Sequence, residues 1–244
     1  MGDALEFAID TRVVEAFPEV QVLAIRARIE DQSALITGLQ SIGPRIEASV
    51  SELAAIEPLS SLPNIARWRM AYGQLGVKPS KFLSSIEALL KRAKKGQMAD
   101  IGIPVVDLYN AVSVLHRVPM GAYDADRLSP VPLIMRLANP EEDAFTPLGG
   151  RSDDFPLNPK LVVYAQNDEV LCWGFNTRDS AKSAVTEASR DVLFFSETSV
   201  SDGRDDAVQA LEHLSEIIAA HGGQVSKVAI FDAVHSSGLI AALD

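Results

Sequence analysis

Residues 104–124 read PVVDLYNAVSVLHRVPMGAYD and carry the strongest structural signal in the chain. Pro104 suits the first turn of a helix, where a missing N–H costs nothing, and apolar residues then recur at helical spacing. Asp107, Asn110 and Ser113 are three residues apart, so they lie side by side on a helix surface that the pattern predicts to be buried. Buried polar groups need partners. Either these side chains cap neighbouring backbone, or they border a pocket with the MGAYD turn that follows.

The composition limits the classes of function. The 244 residues are 47% hydrophobic, and 22 Lys and Arg oppose 33 Asp and Glu, a formal net charge of -11. Such a charge repels nucleic acid and anionic membranes at long range, so any RNA contact has to be local. The single cysteine, Cys172, excludes an internal disulfide framework. No stretch approaches the ~20 apolar residues of a membrane span, and the N-terminus lacks a signal-peptide pattern. We therefore expect a soluble, cytoplasmic protein without a membrane partner.

Upstream of residue 104 the patterns predict one strand and several helices. Residues 20–29 alternate between two faces, as in a strand. Apolar residues recur at helical spacing over 33–57, where Gly43-Pro44 is expected to divide the segment into two helices. Asn64 is predicted to cap the next helix. Ser84 and Glu87 form a capping-box pattern that opens a further helix.

Downstream of residue 129 the patterns are mainly those of strands. The predicted strands are 133–137, LVVYAQ and EVLCWGF joined as a hairpin by Asn167-Asp168, DVLFFSE, and VSKVAIF; a helix is predicted over 205–220. Because nothing in the composition forces a linker, residues 1–244 are expected to form a single α+β domain. It would be a layered, mixed-sheet domain whose helices come mainly from the N-terminal half.

One basic island interrupts the acidic chain. Its residues flank or end the Ser84 helix: Lys78, Lys81, Lys91, Arg92, Lys94 and Lys95. They either complement the C-terminal dipole of the helix and keep the protein soluble, or contact a phosphate backbone.

The familiar catalytic and cofactor motifs are missing. None of the four histidines stands at a metal-ligand spacing, and the sequence holds no P-loop, nucleophile elbow or dinucleotide glycine motif, so no metal and no cofactor are expected. Cys172 lies in an apolar strand pattern and is expected to be a core residue. The remaining candidates are polar or small residues of irregular segments, where binding pockets usually form. They are Asn110, Ser113, Gly121, Tyr123, Asp124, Arg136, Asn176, Arg178 and Asp179; no catalytic residue can be named among them.

Several separated motifs occur in an order that resembles a known family. WRMAYGQLGVKPSKFLSSIEALLKR, PVVDLYNAVSVLHRVPMGAYD, MRLA with PLGG, and NTRDS with VLFFSE together resemble the B3/B4 domain, the tRNA-binding and editing domain of the phenylalanyl-tRNA synthetase beta subunit, in a free-standing form. The resemblance covers residues 20–197 and leaves 198–244 as a helix-strand extension. It brings no aminoacylation portion.

The resemblance implies a pocket and a reaction. In the synthetase this domain hydrolyses tRNA charged with tyrosine by mistake, by positioning a water at the ester. Here the histidine and glutamate of the family's pocket fall on Gly121 and Arg178, so tyrosine specificity is not implied. The arginine predicts a ligand with an anionic group, and the glycine predicts a wider site. Residues 104–124 would form one pocket wall, with specificity at Gly121, Tyr123 and Arg178.

Three functional hypotheses follow. The first is a trans-acting hydrolase of mischarged aminoacyl-tRNA, and the second a non-catalytic module that binds an amino acid or a tRNA 3′ end. The third is a small-molecule enzyme that reuses the fold. The expected partner is tRNA or aminoacyl-tRNA through the basic island, with a synthetase as a further candidate and no DNA.

Overall fold

The structure is a computed structural model that describes residues 4–98 and 101–243. Within these ranges the chain forms six α-helices and twelve β-strands. The helices are α1 (Thr11–Ala16), α2 (Leu35–Ala54), α3 (Pro63–Gln74), α4 (Ser85–Lys94), α5 (Pro104–His116) and α6 (Arg204–Ala220). The strands are β1 (Leu5–Ile9), β2 (Gln21–Arg28), β3 (Met120–Asp124), β4 (Leu133–Leu137), β5 (Ala144–Phe145), β6 (Val162–Gln166), β7 (Glu169–Trp173), β8 (Arg178–Asp179), β9 (Asp191–Thr198), β10 (Gln224–Val225), β11 (Ala229–Phe231) and β12 (Ser237–Ile240).

The described strands build two sheets. The larger sheet has the order β12-β1-β4-β6-β7-β5, with β8 paired to β7, and the smaller has the order β10-β2-β9-β3, with β11 also paired to β2. Because β1 pairs antiparallel with β12 and parallel with β4, the larger sheet is mixed. Helices α1 to α5 all lie before residue 117. The predicted α+β class, with a mixed sheet and helices mainly from the N-terminal half, is confirmed.

An aromatic layer joins the two sheets. The Phe195 ring of the smaller sheet lies 5.7 Å from the rings of Phe7 and Tyr164 in the larger one, and Phe231 lies 4.7 Å from Phe7. Because side chains alternate along a strand, Glu197 faces the larger sheet together with Phe195. The residues of β9 on this face are Asp191, Leu193, Phe195 and Glu197, so the face begins and ends with a carboxylate.

The helices cover the opposite face of the smaller sheet. There the Tyr109 ring of α5 lies 6.1 Å from the ring of Phe194. Helix α5 packs against α2, α4 and α6, and α6 packs against β2 and β9. The order of layers is therefore helices, smaller sheet and larger sheet. The boundary that we drew between residues 20–197 and the 198–244 extension stays a prediction.

Several local patterns fold as expected. Residues 20–29 form β2, and the two strands joined by Asn167-Asp168 form the β6–β7 hairpin. Ser84 caps α4, since its hydroxyl accepts a hydrogen bond from the backbone N–H of Glu87 at 3.4 Å. The Glu87 carboxylate does not complete the capping box, because it binds Arg69 and Lys91 instead.

The predicted break at Gly43-Pro44 is wrong. Helix α2 runs through both residues, because its apolar face is buried on each side of the proline, at Ile42 and at Ile46 and Leu53. The packing of this continuous face outweighs the backbone hydrogen bond that the proline cannot make. A helix cap at Asn64 is also wrong: its side-chain amide donates to the Arg117 carbonyl at 3.0 Å.

Two further segments differ from the expectation. MGAYD is the edge strand β3 and not a turn, and it pairs with β9 from Met120 opposite Ser196 to Asp124 opposite Val192. VSKVAIF is not one strand but is divided between β10 and β11. The sequence did not predict β1, α1 or β12, which pair or pack at one edge of the larger sheet.

Candidate functional site

Glu197 is a carboxylate held between the sheets. It accepts a hydrogen bond from the Tyr164 hydroxyl at 2.7 Å and another from the Asn176 side-chain amide at 2.7 Å. Burial raises the pKa of Glu197 to about 7, against the lowering effect of these two hydrogen bonds. The group therefore titrates near neutral pH.

Asn176 connects this carboxylate to the helices. Its side-chain oxygen accepts from the Ser85 backbone N–H at 3.1 Å and from the Tyr72 hydroxyl at 3.2 Å. The Tyr72 hydroxyl also donates to the Gly174 carbonyl at 2.6 Å and accepts from Thr177 at 2.7 Å. Both ends of the Asn176 amide are thus engaged, which fixes its orientation beside Glu197.

A second carboxylate, Asp179, lies on the same inner side. Asp179 stands directly opposite Cys172 in the β7–β8 pair, so the two side chains share a face. The hydrogen-bond partner of the Cys172 thiol is the Trp173 carbonyl oxygen, at 4.0 Å. Burial raises the pKa of Asp179 to about 6 and that of Cys172 well above its usual value. Cys172 is therefore a protonated core thiol and not a thiolate nucleophile.

We call these side chains the interior polar cluster. Its members are Tyr72, Tyr123, Tyr164, Cys172, Asn176, Asp179 and Glu197.

Gly121 lies in the edge strand β3, on the same face as Tyr123. A Cβ atom added to Gly121 would meet nothing within 4 Å, so there is free space beside this residue. Tyr109, Gly121, Asn176 and Asp179 are half-buried, whereas Tyr123 beside them is buried. Burial raises the pKa of Tyr109 and of Tyr123, and the charge of Asp179 is among the further causes. These half-buried residues border what we call the cleft.

Tyr109 of α5 is half-buried on the helix side of the smaller sheet. Residues 4–98 and 101–243 form no hydrogen bond to this hydroxyl, although the ring packs on Phe194. Burial raises the pKa of Tyr109, so the hydroxyl keeps its proton and acts as a donor.

Three predicted pocket residues have other roles or positions. The Ser113 hydroxyl donates to the Val118 carbonyl at 2.5 Å and so closes the end of α5. Asp124 accepts from the Ser189 hydroxyl at 2.6 Å. Asn110 is half-buried on α5. The polar edge of α5 had two interpretations, capping of neighbouring backbone or the border of a pocket. Capping applies to Ser113 and also to Asp107, which accepts hydrogen bonds from two backbone N–H groups.

The two predicted arginines do not reach the cluster. Arg136 binds Asp143 through two hydrogen bonds of 2.9 and 2.6 Å. Met135 pairs with Tyr164 and therefore faces the aromatic layer. Because side chains alternate along a strand, Arg136 points to the opposite face of β4, away from that layer. Arg178 is exposed, donates to the Leu148 carbonyl at 3.2 Å and lies 5.3 Å from the Phe155 ring. Our expectation of an anionic ligand, which depended on Arg178, has no structural basis.

Three of the six residues of the basic island, Lys91, Lys94 and Lys95, line a groove of about 440 Å³ beside α4. Lys91 binds Glu87 at 2.8 Å, and Lys94 binds Glu57 at 2.5 Å. The charged groove residues are Glu57, Arg69, Glu87, Lys91, Lys94 and Lys95. Four of these residues are cations and two are anions, so the groove has a formal net charge of +2. Arg92 and Lys81 are exposed outside the groove, and Lys81 lies 4.9 Å from the Phe82 ring; Lys78 also lies outside it.

Glu197, Tyr164, Tyr72 and Cys172 complete the cluster but were not on our list of candidates. The available signal was the position of Glu197 in DVLFFSE, where it shares the alternating set of Leu193 and Phe195. A carboxylate in register with apolar strand residues is expected to be buried and to have partners. Tyr72 and Cys172 gave no such signal, since each reads as an ordinary core residue.

The described residues contain neither a cluster of metal ligands nor a membrane-spanning helix. Among the described residues, no group of three or more His, Cys, Asp and Glu side chains has a geometry that could hold a metal ion. No helix within 4–98 or 101–243 combines the length and apolar character needed to cross a bilayer.

The sequence profile of the B3/4 domain matches residues 67–212, which is more than half of the chain. The protein therefore belongs to the B3/4 domain family, and this confirms the resemblance inferred from the sequence motifs. An N-terminal fragment of the phenylalanyl-tRNA synthetase beta subunit from Pyrococcus horikoshii is similar in structure, with a TM-score of 0.46 and 12% sequence identity. The match covers 90% of this chain and 49% of that one, so the chain spans about half the length of the fragment. A search of curated proteins gave no match.

Proposed function

We propose that this protein hydrolyses the ester bond of mischarged aminoacyl-tRNA in trans, with the aminoacyl group bound in the cleft. The B3/4 family supports a tRNA-related function in the broad sense. The observation that carries the proposal is the free space at Gly121, on the face of β3 that also carries Tyr123 of the interior polar cluster. Ester hydrolysis needs a positioned water and a donor for the developing oxyanion, and it needs no covalent nucleophile.

Tyr109 is the donor that we assign to the ester carbonyl. Tyr109 is half-buried, and its hydroxyl has no hydrogen-bond partner among the described residues. The ring is fixed by its contact with Phe194, so the hydroxyl is preorganised. A preorganised donor stabilises the charge that develops on the carbonyl oxygen in the transition state.

The test is a deacylation screen with a panel of cognate and mischarged aminoacyl-tRNAs. We expect at least one mischarged species to be hydrolysed, and Tyr109→Phe to lower kcat by about 10²–10³-fold with little change in KM. Arg178→Ala, on the exposed side of β8, is the matched control and should keep full activity. Absence of hydrolysis across the panel would contradict the proposal.

A non-catalytic binding module is the second candidate. It is favoured by the saturation of Asn176 and Glu197, whose polar side-chain atoms already bind one another, Tyr72, Tyr164 and Ser85. A module of this kind would bind aminoacyl-tRNA in the same screen without turnover.

The groove beside α4 is the surface proposed to contact the tRNA phosphates. Because Lys95 is exposed and Lys91 shares Glu87 with Arg69, both lysines can be recruited by a phosphate. For Lys91→Gln with Lys95→Gln, we expect weaker tRNA binding and a salt dependence, log K against log [salt], that is less steep by about 1 for each lysine lost.

The measurement is tRNA binding across a range of salt concentrations. Lys227→Gln, an exposed lysine between β10 and β11, is the control for the loss of positive charge alone. If the Lys227 variant changed the slope as much as each groove lysine does, the groove would not be the binding surface.

A further inference from the structure

Asp179 differs from the other carboxylates held inside the protein. Its carboxylate stands opposite the Cys172 thiol in the β7–β8 pair, and a thiol is at most a weak donor. Neither a backbone N–H nor an amide nor a hydroxyl of residues 4–98 and 101–243 donates to it. The neighbouring Arg178 turns its guanidinium to the Leu148 carbonyl.

Most other carboxylates inside the protein accept stronger donors, although one oxygen of Glu169 is also buried without a partner. Glu197 accepts from two side chains, and Asp191 accepts two hydrogen bonds of 2.7 Å from Arg26. The same holds for Glu87, Asp107, Asp124 and Asp143, each of which accepts at least two hydrogen bonds from N–H or O–H groups. Buried charges are normally paired in this way. Asp179 thus keeps acceptor capacity that the protein leaves unused.

This unused capacity faces the cleft. Asp179 is half-buried, and no oxygen of its carboxylate is sealed from solvent without a partner. Tyr123 lies on the same inner side, since its ring is 6.4 Å from the ring of Tyr164, and Tyr164 pairs with Cys172, which stands opposite Asp179. Tyrosine rings attract cations through their π faces, so the surroundings favour a positively charged group and disfavour an anion.

We propose that Asp179 binds an ammonium group of the ligand in the cleft and thereby acts as its positioning and specificity residue. The inference rests on the proposed function, since it takes the cleft to be the aminoacyl site. An ammonium group can come from either of two sources: the α-amino group of the aminoacyl ester, or the side chain of a basic amino acid. A charge-assisted hydrogen bond to Asp179 serves both, and it reverses the charge that we had expected for the ligand.

The test uses small amides that carry no ester and therefore cannot be hydrolysed at one. The probes are L-phenylalaninamide, with only an α-ammonium group, N-acetyl-L-lysinamide, with only a side-chain ammonium group, and the neutral N-acetyl-L-phenylalaninamide. Binding to the full chain is measured by NMR titration or calorimetry. We expect at least one ammonium probe to bind about tenfold or more tighter than the neutral probe, and the probe that does so identifies the source of the ammonium.

The variant Asp179→Asn keeps the size of the side chain and removes its charge. We expect it to lose about tenfold in affinity for the ammonium probe and nothing for the neutral one. Arg178→Gln is the matched control on the exposed face of the same strand. The proposal is overturned if Asp179→Asn binds the ammonium probes as the unmodified protein does, or if neither ammonium probe binds at concentrations up to about 10 mM.

The two proposals fail separately. Binding of an ammonium probe without hydrolysis of any aminoacyl-tRNA would support the role of Asp179 and remove the hydrolase. Hydrolysis with an unchanged KM in Asp179→Asn would support the hydrolase and remove the role of Asp179.

Discussion

Replacing Arg26 by methionine is expected to lower the free energy of unfolding by about 3–5 kcal/mol. Arg26 lies in β2 and binds Asp191, at the start of β9, through two hydrogen bonds of 2.7 Å. The side chains are only 7% and 8% exposed. Methionine keeps much of the volume but leaves the Asp191 carboxylate buried without its guanidinium partner. The cost is therefore that of an uncompensated buried charge.

Urea or thermal unfolding measures the effect, and the same strand provides the control. Arg28 also pairs with a carboxylate, Glu30, at 2.6 Å, but both side chains are exposed. Arg28→Met should leave the unfolding transition nearly unchanged, because solvent screens exposed pairs. The double variant Arg26→Met with Asp191→Leu should recover much of the lost stability. Equal, small effects of the two single arginine variants would refute the assigned importance of burial.

The second large effect is a pH dependence that originates at Glu197. Burial raises the pKa of this carboxyl to about 7 from an ordinary 4.5. Between these two values the folded protein binds a proton that the unfolded chain has released. The contribution to stability is thus fully present below pH 4.5 and is lost as the pH rises through 7. The full loss corresponds to roughly 3 kcal/mol.

The variant Glu197→Gln removes this titration. We expect the stability difference between Glu197→Gln and the unmodified protein to move by roughly 3 kcal/mol in favour of the variant between pH 5 and pH 8. His116 and His213 have a lowered pKa, mainly because of burial, and cost stability as the pH falls below about 6.5; they are common to both proteins and cancel in the difference. Glu212→Gln, on exposed surface of α6, is the control. A constant difference across this pH range would show that Glu197 does not titrate there.

Local signals in the sequence predicted much of the fold. The cap of α4 by Ser84 and the hairpin at Asn167-Asp168 depend on neighbours in the chain, so their patterns are legible without tertiary context. Gly43-Pro44 shows the opposite case, since the buried face of α2 decides against the local preference. The extended conformation of Met120–Asp124 likewise depends on a partner strand that lies far away in the chain.

The candidate site was predicted in part. Gly121 and Tyr123 share one face of β3, and Asn176 and Asp179 belong to the segment that follows β7; the binding roles of all four stay predictions. Arg178 and Asp179 are both candidates in the sequence, because strand β8 has only two residues and a segment of this length shows no alternation. In such a short strand, the identity of the inward residue is set by the pairing of Cys172 with Asp179, which only the structure reveals.

The pairing of β2 has a consequence for how the chain is made. Val22 to Ala27 are buried, yet every strand that pairs with β2 is translated after residue 190. The side chains of Arg26 and Asp191, for instance, are 165 residues apart. At usual rates of synthesis, the apolar strand waits about 10–30 s for its partners after leaving the ribosome. During this interval it is an open template for wrong pairings, so a nascent chain of this protein is a natural client for a ribosome-bound chaperone.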